Sequence, residues 1–317
     1  MKPVLESYAS IDIPASLGSH QRAVAVQDYT TFRIGGRADI LAQPQDETTL
    51  IAWVEWARSQ DIPFFILGGG SNLLVSDRGI RGLVIMTSGL HTCRRLPDHE
   101  SRPVVEIDAG TEVSQACRWC CQQGLAGLDF LYAMPGSIGG ALWMNARCYG
   151  SEIAAVLQQV RYYVPGQGIR IYHHDPADWD YKLSPFQRPD RIILSARFVM
   201  QPEDPAAIQE RMQEHEQDRI AKGHFRFPSA GSTFKNNYDY GKPTGKIIDE
   251  LGLRGHEQGG ARIAPYHGNI FINTGSATAA DVRQLISEVQ QIARQRVGVE
   301  LEPEVLFVGD WPDTSPR

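Results

Sequence analysis

One stretch decides the fold: Phe64–Gly79, which reads FFILGGGSNLLVSDRG. Its apolar start, Phe64–Leu67, predicts a short buried strand. The residues that follow this strand are Gly68, Gly69, Gly70, Ser71 and Asn72. Three successive glycines leave their backbone N–H groups without side-chain cover, and the serine and asparagine add side-chain donors. Because such a concave set of donors binds anions, we expect this loop to hold a diphosphate.

The residues after the loop distinguish it from two familiar phosphate-binding loops. Leu73–Val75 and Ser76–Gly79 predict a short strand and a turn, whereas a Rossmann loop or a P-loop opens a helix. Neither G-x-G-x-x-G nor G-x-x-x-x-G-K-S/T occurs in this stretch. A glycine-rich hairpin turn is the alternative, but each glycine costs backbone entropy, which favours a ligand-binding loop.

The composition narrows the class of protein. A chain of 317 residues is long enough for two or three domains. Its net charge of −6, without a basic stripe, argues against a nucleic-acid partner. No apolar run approaches the roughly 18 residues of a membrane span, and residues 1–20 lack the profile of a signal peptide. We therefore expect a cytoplasmic protein without a membrane partner.

The cysteines are odd in number: Cys93, Cys117, Cys120, Cys121 and Cys148. Three of them share a predicted amphipathic helix, Val113–Gln123. A metal site would need a second pair of ligands at a suitable spacing, and the sequence offers none, so we expect no metal. Buried, reduced thiols are the simpler interpretation, and they suit the cytosol.

The first α/β unit surrounds the glycine loop. Alternating apolar residues predict strands at Tyr29–Ile34 and Ala38–Ala42. Asp46 is the predicted N-cap of a helix, and Leu83–Met86 predicts another strand. The unit is therefore a small βαβ-like arrangement that carries the loop.

A second α/β unit carries a second glycine cluster. It begins with a predicted strand, Val104–Ala109, and a predicted helix, Thr111–Gln123. The cluster that follows supplies the candidate ligand contacts Pro135, Gly136, Ser137, Gly139 and Gly140. Proline presets φ and the glycines allow close approach of the backbone to a ligand. Two such clusters in successive units indicate one extended ligand, and a dinucleotide has that shape.

The rest of the chain predicts an antiparallel sheet and then a separate domain. The sheet strands are expected at Val156–Val164, Ile169–His173 and Ile192–Phe198. A composition break at Gln201–Pro205 marks the boundary, and a charged helix, residues 206–222, follows it. Later predicted elements are a helix at Lys246–Leu251, strands at Arg262–Ala264 and Asn269–Asn273, the Thr278-capped helix Ala279–Val297 and a strand opened by Leu301 that ends at Val308.

Six motifs occur in order: Thr31–Gly36 (TFRIGG), Gly68–Leu74 (GGGSNLL), Pro135–Gly140 (PGSIGG), Gly231–Asn236 (GSTFKN), Gly252–Gly255 (GLRG) and Leu301–Val305 (LEPEV). On these motifs the chain resembles the UDP-N-acetylenolpyruvoylglucosamine reductases over about residues 28–309. The first three motifs recur in the wider class of flavoproteins that resemble vanillyl-alcohol oxidase. The last three are far more specific to the reductases.

The resemblance implies an α+β fold and a cofactor. It predicts an FAD-binding domain of the vanillyl-alcohol-oxidase-like type, residues 21–202, with α+β subdomains of about 21–88 and 89–202. A C-terminal α+β substrate-binding domain, residues 203–317, follows, and residues 1–20 form an N-terminal extension. The implied cofactor is non-covalent FAD. NADPH as reductant and UDP-N-acetylglucosamine enolpyruvate as substrate would use one site in turn, and we expect a monomer with only these small-molecule partners.

The resemblance also implies site residues. Hydride would pass from flavin N5 to the vinyl carbon of the substrate, and Ser232 would donate the proton. Glu304 and Lys182 would support the charge that develops on the substrate. The implied substrate-binding residues are Tyr181, Lys222 and Asn236, and Thr31 and Arg33 join the two glycine clusters as cofactor contacts.

Two positions depart from the family pattern. Lys182 stands where commoner members have arginine, so a point charge replaces a planar fork of donors. Arg147 stands where many relatives carry glycine. The interval between Lys182 and Ser232 is also short for the extra lid of the larger members, so we expect the compact, lid-less type.

Other interpretations of these residues stay open. By spacing alone, Ser232 is a turn hydroxyl, Glu304 is an exposed carboxylate at a strand start, and Lys182 and Lys222 are surface charges. A flavin oxidase of the same fold and a non-catalytic nucleotide-binding protein are the alternative functions. The three C-terminal motifs argue against the oxidase. The joint presence of Ser232, Glu304 and Lys222 argues against the non-catalytic protein.

Overall fold

The first sheet carries the glycine loop at its edge. The structure, a computed structural model, describes residue 8 and residues 11–312, so part of the predicted N-terminal extension lies outside it. The elements of the first unit are β1 (His20–Ala25), β2 (Arg37–Ala42), α1 (Glu47–Ser59), β3 (Phe64–Leu67), β4 (Leu73–Val75) and β5 (Ile80–Met86). The sheet order is β1-β2-β5-β3, in which β2, β5 and β3 are parallel and β1 is antiparallel to β2. The loop at residues 68–72 therefore joins β3 to β4 without opening a helix, as predicted.

Helix α1 begins where the sequence predicts it. The Asp46 side chain accepts a hydrogen bond from the N–H of Thr49 at 2.7 Å, which satisfies one of the free donors of the first turn. The buried face of the helix, which includes Trp53, packs against the first sheet. The same apolar cluster contains Tyr163 and Leu194 of the second unit, so α1 joins the two units.

The second unit is an antiparallel sheet covered by helices. Its elements are β6 (Cys93–His99), β7 (Arg102–Asp108), α2 (Val113–Gln122), β8 (Leu125–Ala126), α3 (Ile138–Trp143), β9 (Arg147–Cys148), β10 (Ser151–Glu152), β11 (Leu157–Val164), β12 (Gly168–His173), β13 (Ile192–Val199) and β14 (Gln201–Pro202). The sheet order is β12-β11-β13-β7-β6. Cys117, Cys120 and Cys121 of α2 are buried in the core of this unit, where they pack as small apolar side chains.

The last third contains three helices and a four-stranded sheet, and the second and third of these helices pack against that sheet. Its elements are α4 (Pro205–Ala221), β15 (Ser229–Ser232), α5 (Thr244–Glu250), β16 (Glu257–Gln258), β17 (Ala261–Ile263), β18 (Ile270–Asn273), α6 (Ala279–Val297) and β19 (Leu306–Val308). The sheet order is β15-β18-β17-β16. Helix α6 begins with a capping box of Thr278 and Asp281, at the residue predicted from the sequence. Strand β19 then pairs in parallel with β4, so the end of the chain returns to the glycine loop.

One predicted strand is not formed, and one helix was not predicted. The alternation at Tyr29–Ile34 does not form a strand: a short 3₁₀ turn, Val26–Tyr29, is followed by an irregular segment. Phe32 and Ile34 both point into the core of the last third, which produces the alternation without a sheet ladder. Helix α3 was not predicted, because Gly139 and Gly140 are poor helix formers, yet the Ser137 side chain caps it by accepting from the N–H of Gly140.

The domain boundaries stay predictions. Ile208 and Met212 of α4 pack in the core of the second unit, although the predicted boundary places them in the C-terminal domain. Leu17, within the predicted extension, packs in the cluster around α1. These contacts show that both segments are anchored to the first two units.

Candidate functional site

A single large cavity collects almost all of the predicted site residues. Its volume is about 1720 Å³, and its walls come from all three units. The predicted residues that line it are Thr31, Arg33, Gly68, Gly69, Gly70, Ser71, Asn72, Pro135, Gly136, Ser137, Gly139, Gly140, Lys182, Lys222, Ser232, Asn236 and Glu304. Residues from distant parts of the sequence therefore converge on one site.

The two glycine clusters are in direct contact. A Cβ atom added to Gly69 would lie 2.5 Å from the Cα of Gly136, and one added to Gly68 would lie 2.5 Å from the Oγ of Ser137. Both distances are shorter than real carbon contacts, so these positions require glycine for the packing of one loop on the other. Gly140 differs, because its Cβ would meet only the Oγ of Ser137, at 3.4 Å, and would otherwise point into open space.

The first glycine loop presents a row of backbone donors. Among the hydrogen bonds of the described residues, none uses a backbone N–H of residues 68–72 as its donor. Gly70 is buried, and buried N–H groups are seldom left without an acceptor. A phosphate of FAD would supply acceptors at this loop, so the residues present fit the cofactor.

Thr31 and Arg33 lie beside the loop. The N–H of Thr31 donates to the carbonyl of Gly70 at 3.1 Å, and its hydroxyl donates to the carbonyl of Ser229 at 2.7 Å. Arg33 has a φ of 53°, in the left-handed region, and its carbonyl accepts from the side chain of Asn273 at 3.3 Å. These contacts hold the first unit, the loop and the last sheet together at one end of the cavity.

Lys182 and Glu304 form an ion pair in the cavity wall. The Lys182 Nζ and Glu304 Oε1 atoms are 2.5 Å apart, and Glu304 is only 9% exposed. The backbone of Glu304 is fixed, because its N–H donates to Thr233 at 2.8 Å and its carbonyl accepts from the Asn72 side chain at 3.0 Å. Burial raises the pKa of the Glu304 carboxyl, and the charge of Lys182 opposes that rise. The pair thus places a partly exposed cation beside a buried carboxyl group in the cavity wall.

Ser232 lies at the end of β15 and is half-buried. Its Cα pairs with Ile270 of β18, and the next residue, Thr233, accepts the backbone bond from Glu304. Its hydroxyl has no hydrogen-bond partner among the residues that the structure describes, so the local turn bond considered above is not formed. The hydroxyl is therefore available to a ligand in the cavity.

Of the three predicted substrate-binding residues, Lys222 and Asn236 line the cavity. Lys222 follows the last turn of α4, and its Nζ is 2.6 Å from the Oδ2 of Asp218. The side chain of Asn236 accepts from the N–H of Thr244 at 2.9 Å. Tyr181 is not among the cavity-lining residues, since it lies behind Asn236, whose N–H donates to its hydroxyl at 3.2 Å. Tyr181 therefore supports the wall rather than forming it.

Several cavity residues were missed by the sequence analysis. Tyr149 stacks on His215 with ring centroids 3.9 Å apart, and its hydroxyl donates to Asp218 at 2.9 Å. Arg219 lies over the ring of Tyr149. Burial, together with the charges of Arg219, His267 and Lys222, lowers the pKa of His224 to about 4. Of these residues, only Tyr149 had a signal in the sequence, because it follows shortly after the second glycine cluster.

The comparisons with known proteins agree with this geometry. A family profile described as an FAD binding domain matches residues 38–169, and one described as the C-terminal domain of UDP-N-acetylenolpyruvoylglucosamine reductase matches residues 223–308. The UDP-N-acetylenolpyruvoylglucosamine reductase of Treponema denticola is 40% identical over 299 residues, covering 90% of this chain and 92% of the relative. That of Synechococcus sp. is 37% identical, covering 96% and 99%.

A solved structure extends the likeness to the whole fold. The crystal structure of UDP-N-acetylenolpyruvylglucosamine reductase from Thermus caldophilus matches with a TM-score of 0.73 and 31% identity, covering 93% of this chain and 98% of that one. The α+β fold, the cavity and the FAD-binding profile define an FAD-dependent oxidoreductase, as predicted. More particularly, the chain belongs to the UDP-N-acetylenolpyruvoylglucosamine reductase family.

Proposed function

We propose that this chain reduces the enolpyruvyl group of UDP-N-acetylglucosamine enolpyruvate with electrons from NADPH, giving UDP-N-acetylmuramate for peptidoglycan synthesis. The observation that carries the proposal is the convergence of Ser232, the Lys182–Glu304 pair and the donor loop at residues 68–72 on one cavity. FAD, when bound, supplies the hydride. The residues that would hold it are Thr31, Arg33, Gly68, Gly69, Gly70, Ser71, Asn72, Pro135, Gly136, Ser137, Gly139 and Gly140.

Lys182 and Glu304 have the task of stabilising charge on the substrate. Reduction of an enol ether conjugated to a carboxylate pushes negative charge through the adjacent carbon into that carboxylate. A cation at a buried position stabilises such charge more than one in water, because the local dielectric is low. Glu304 holds Lys182 in place at 2.5 Å, and Lys235, which is itself paired with Glu302 at 2.6 Å, contributes a weaker charge.

Ser232 has the task of protonating the carbon that carries the charge. A serine hydroxyl is a weak acid in water, but a carbanion-like centre is basic enough to take its proton when a nearby cation stabilises the alkoxide. The hydroxyl of Ser232 has no competing bond within the described chain and lines the same cavity as Lys182. This arrangement supports its assignment as the proton donor.

Product analysis tests the proposal. Holoenzyme incubated with NADPH and the enolpyruvyl substrate should yield a product heavier by two hydrogens, detected by mass spectrometry, with one NADPH consumed for each product molecule. Rapid oxygen consumption without the enolpyruvyl substrate would favour the flavin oxidase. Binding of the UDP-sugar with no flavin turnover would favour the non-catalytic protein.

The partners and location complete the proposal. We propose a monomer that acts in the cytoplasm on small molecules and has no nucleic-acid or membrane partner. No helix in the described part of the chain is both long and apolar enough to cross a bilayer. The formal net charge of −6 also disfavours binding to nucleic acid. Size-exclusion chromatography with light scattering measures the molar mass of the holoenzyme and so tests whether it is a monomer.

A further inference from the structure

Arg147 is a cavity-lining residue that the chemistry described above does not use. It belongs to β9, shortly after helix α3, and its side chain is exposed. In the described chain its guanidinium has no hydrogen bond, ion pair or ring contact. A rigid, permanently charged group of this kind at a cavity wall is suited to an anionic ligand.

The other cations of the cavity are nearly all engaged. The arginines and lysines that line it are Arg33, Arg147, Lys182, Arg188, Arg191, Arg219, Lys222 and Arg226. Carboxylates pair with Lys182, Arg188 and Lys222. The carbonyl of Pro185 accepts from Arg191, and Arg219 and Arg226 lie over tyrosine rings. Within the described residues this leaves Arg33 and Arg147.

The two remaining arginines belong to different parts of the cavity. Arg33 lies beside Thr31, which bonds to Gly70 of the donor loop, and so faces the proposed cofactor. Arg147 follows helix α3 and comes two residues before Tyr149, and both residues line the cavity together with Asp218 and Lys222.

A second set of contacts connects the same wall to Lys222. Tyr149, two residues after Arg147, donates to the Oδ2 of Asp218 at 2.9 Å, and the Nζ of Lys222 lies 2.6 Å from the same oxygen. The bond from Lys222 and the bond from Tyr149 hold the pKa of Asp218 below its usual range, so Asp218 is ionised and offsets the charge of Lys222. The pair therefore adds little net charge, whereas Arg147 forms no ion pair within the described residues, although Glu152 of β10 stands opposite it in the hairpin.

We propose that Arg147 binds the diphosphate of the sugar nucleotide. This rests on the proposed function, which supplies a ligand with a diphosphate. A guanidinium binds phosphate oxygens through two parallel N–H donors, which gives both energy and orientation. Arg147, which stands where many relatives carry glycine, thus adds a specificity contact to the cavity wall that contains Tyr149 and Lys222.

Equilibrium binding to the oxidised holoenzyme tests this assignment. The ligands are UDP, uridine, UDP-N-acetylglucosamine, its enolpyruvyl derivative and NADP⁺, titrated by calorimetry. Arg147→Gln should weaken UDP binding by roughly 10- to 100-fold, since a charge-assisted hydrogen bond is lost, and should leave uridine binding unchanged. Arg147→Lys should restore part of the affinity.

Arg170→Gln is the matched control, because Arg170 is also exposed but lies on β12 outside the cavity. Equal flavin content in all variants establishes that the fold is intact. Unchanged UDP affinity in Arg147→Gln, equal losses for UDP and uridine, or a loss confined to NADP⁺ would each overturn the assignment. A loss of affinity seen only with the enolpyruvyl ligand would assign Arg147 to the substrate carboxylate, and it would also overturn the diphosphate assignment. If wild type binds no UDP at all, the proposed function itself fails.

Discussion

Ser232 is the residue on which the proposed chemistry depends most. Ser232→Ala should leave flavin reduction by NADPH nearly intact and slow flavin reoxidation by the enolpyruvyl substrate by a factor of about 10² or more, as expected when a general acid is lost. Stopped-flow absorbance measures the two half-reactions separately. Ser232→Cys, which keeps an ionisable proton donor, should recover part of the second rate. Equal loss in both half-reactions would remove the proton-donor assignment.

Substitutions of Lys182 test whether this residue stabilises the charge that develops on the substrate. Lys182→Ala should slow the oxidative half-reaction and leave a buried Glu304 without its cation, whereas Lys182→Arg should keep much of the rate because the charge is retained. The same stopped-flow assay, with Lys235→Ala as a control for the weaker neighbouring charge, measures both variants. Wild-type behaviour of Lys182→Ala would show that the carboxylate is held elsewhere.

At the residue scale, the sequence predicted which side chains would line one cavity better than it predicted their partners. The family resemblance named Ser232, Glu304 and Lys182, and all three line the cavity. The 2.5 Å contact between Lys182 and Glu304 could not be predicted, because it depends on how two distant segments meet. The same is true of the bond between Tyr149 and Asp218.

At the scale of elements, the contact between the two glycine clusters explains why their sequences are so restricted. Gly69→Ala should lower FAD content, because its Cβ would lie 2.5 Å from Gly136 and force the loops apart. Gly140→Leu should also lower FAD content, but by filling the cavity, and it should leave the unfolding midpoint of the flavin-free protein close to that of wild type. The ratio of flavin to protein absorbance and circular dichroism measure the two effects. Normal flavin loading in both variants would refute the assignment of this site to FAD.

The turn after the glycine loop anchors the last helix. The two carboxylate oxygens of Asp77 accept from the N–H groups of Ala279 and Ala280, at 2.8 and 2.9 Å, and so cap α6 from the first unit. Asp77→Ala should lower the free energy of unfolding by about 1–2 kcal/mol, measured by urea denaturation at a fixed FAD concentration. Asp77→Asn keeps one acceptor oxygen and should lose less. An unchanged free energy in Asp77→Ala would show that the local capping box of α6 is sufficient.

Helices with clear caps were predictable, and elements without local signals were not. Thr278 and Asp46 mark the starts of α6 and α1, and both helices begin where predicted. The short α3 was not predicted because it contains two glycines. The segment Tyr29–Ile34 has the alternating pattern of a strand because its apolar residues face the core of another unit. Long-range packing therefore decided the elements for which local sequence gave the wrong signal.

For the whole molecule, the cavity exists because contacts between distant parts of the chain hold the three units together. Helix α1 packs between the first two units, and β19 pairs with β4 directly after the glycine loop. The fold class and the cofactor were predictable, since motifs carry them. The shape of the cavity was not, because it depends on these packing contacts between units.

The measurement that tests the account most directly is an anaerobic absorbance experiment on purified holoenzyme. The bound flavin is reduced with one equivalent of NADPH, and UDP-N-acetylglucosamine enolpyruvate is then added, with UDP-N-acetylglucosamine as the control that lacks the reducible group. We expect the oxidised flavin band to return rapidly with the enolpyruvyl compound and to stay bleached with the control. A band that stays bleached with both compounds would contradict the proposed substrate, and a protein that shows no flavin band even after FAD is added would contradict the cofactor site.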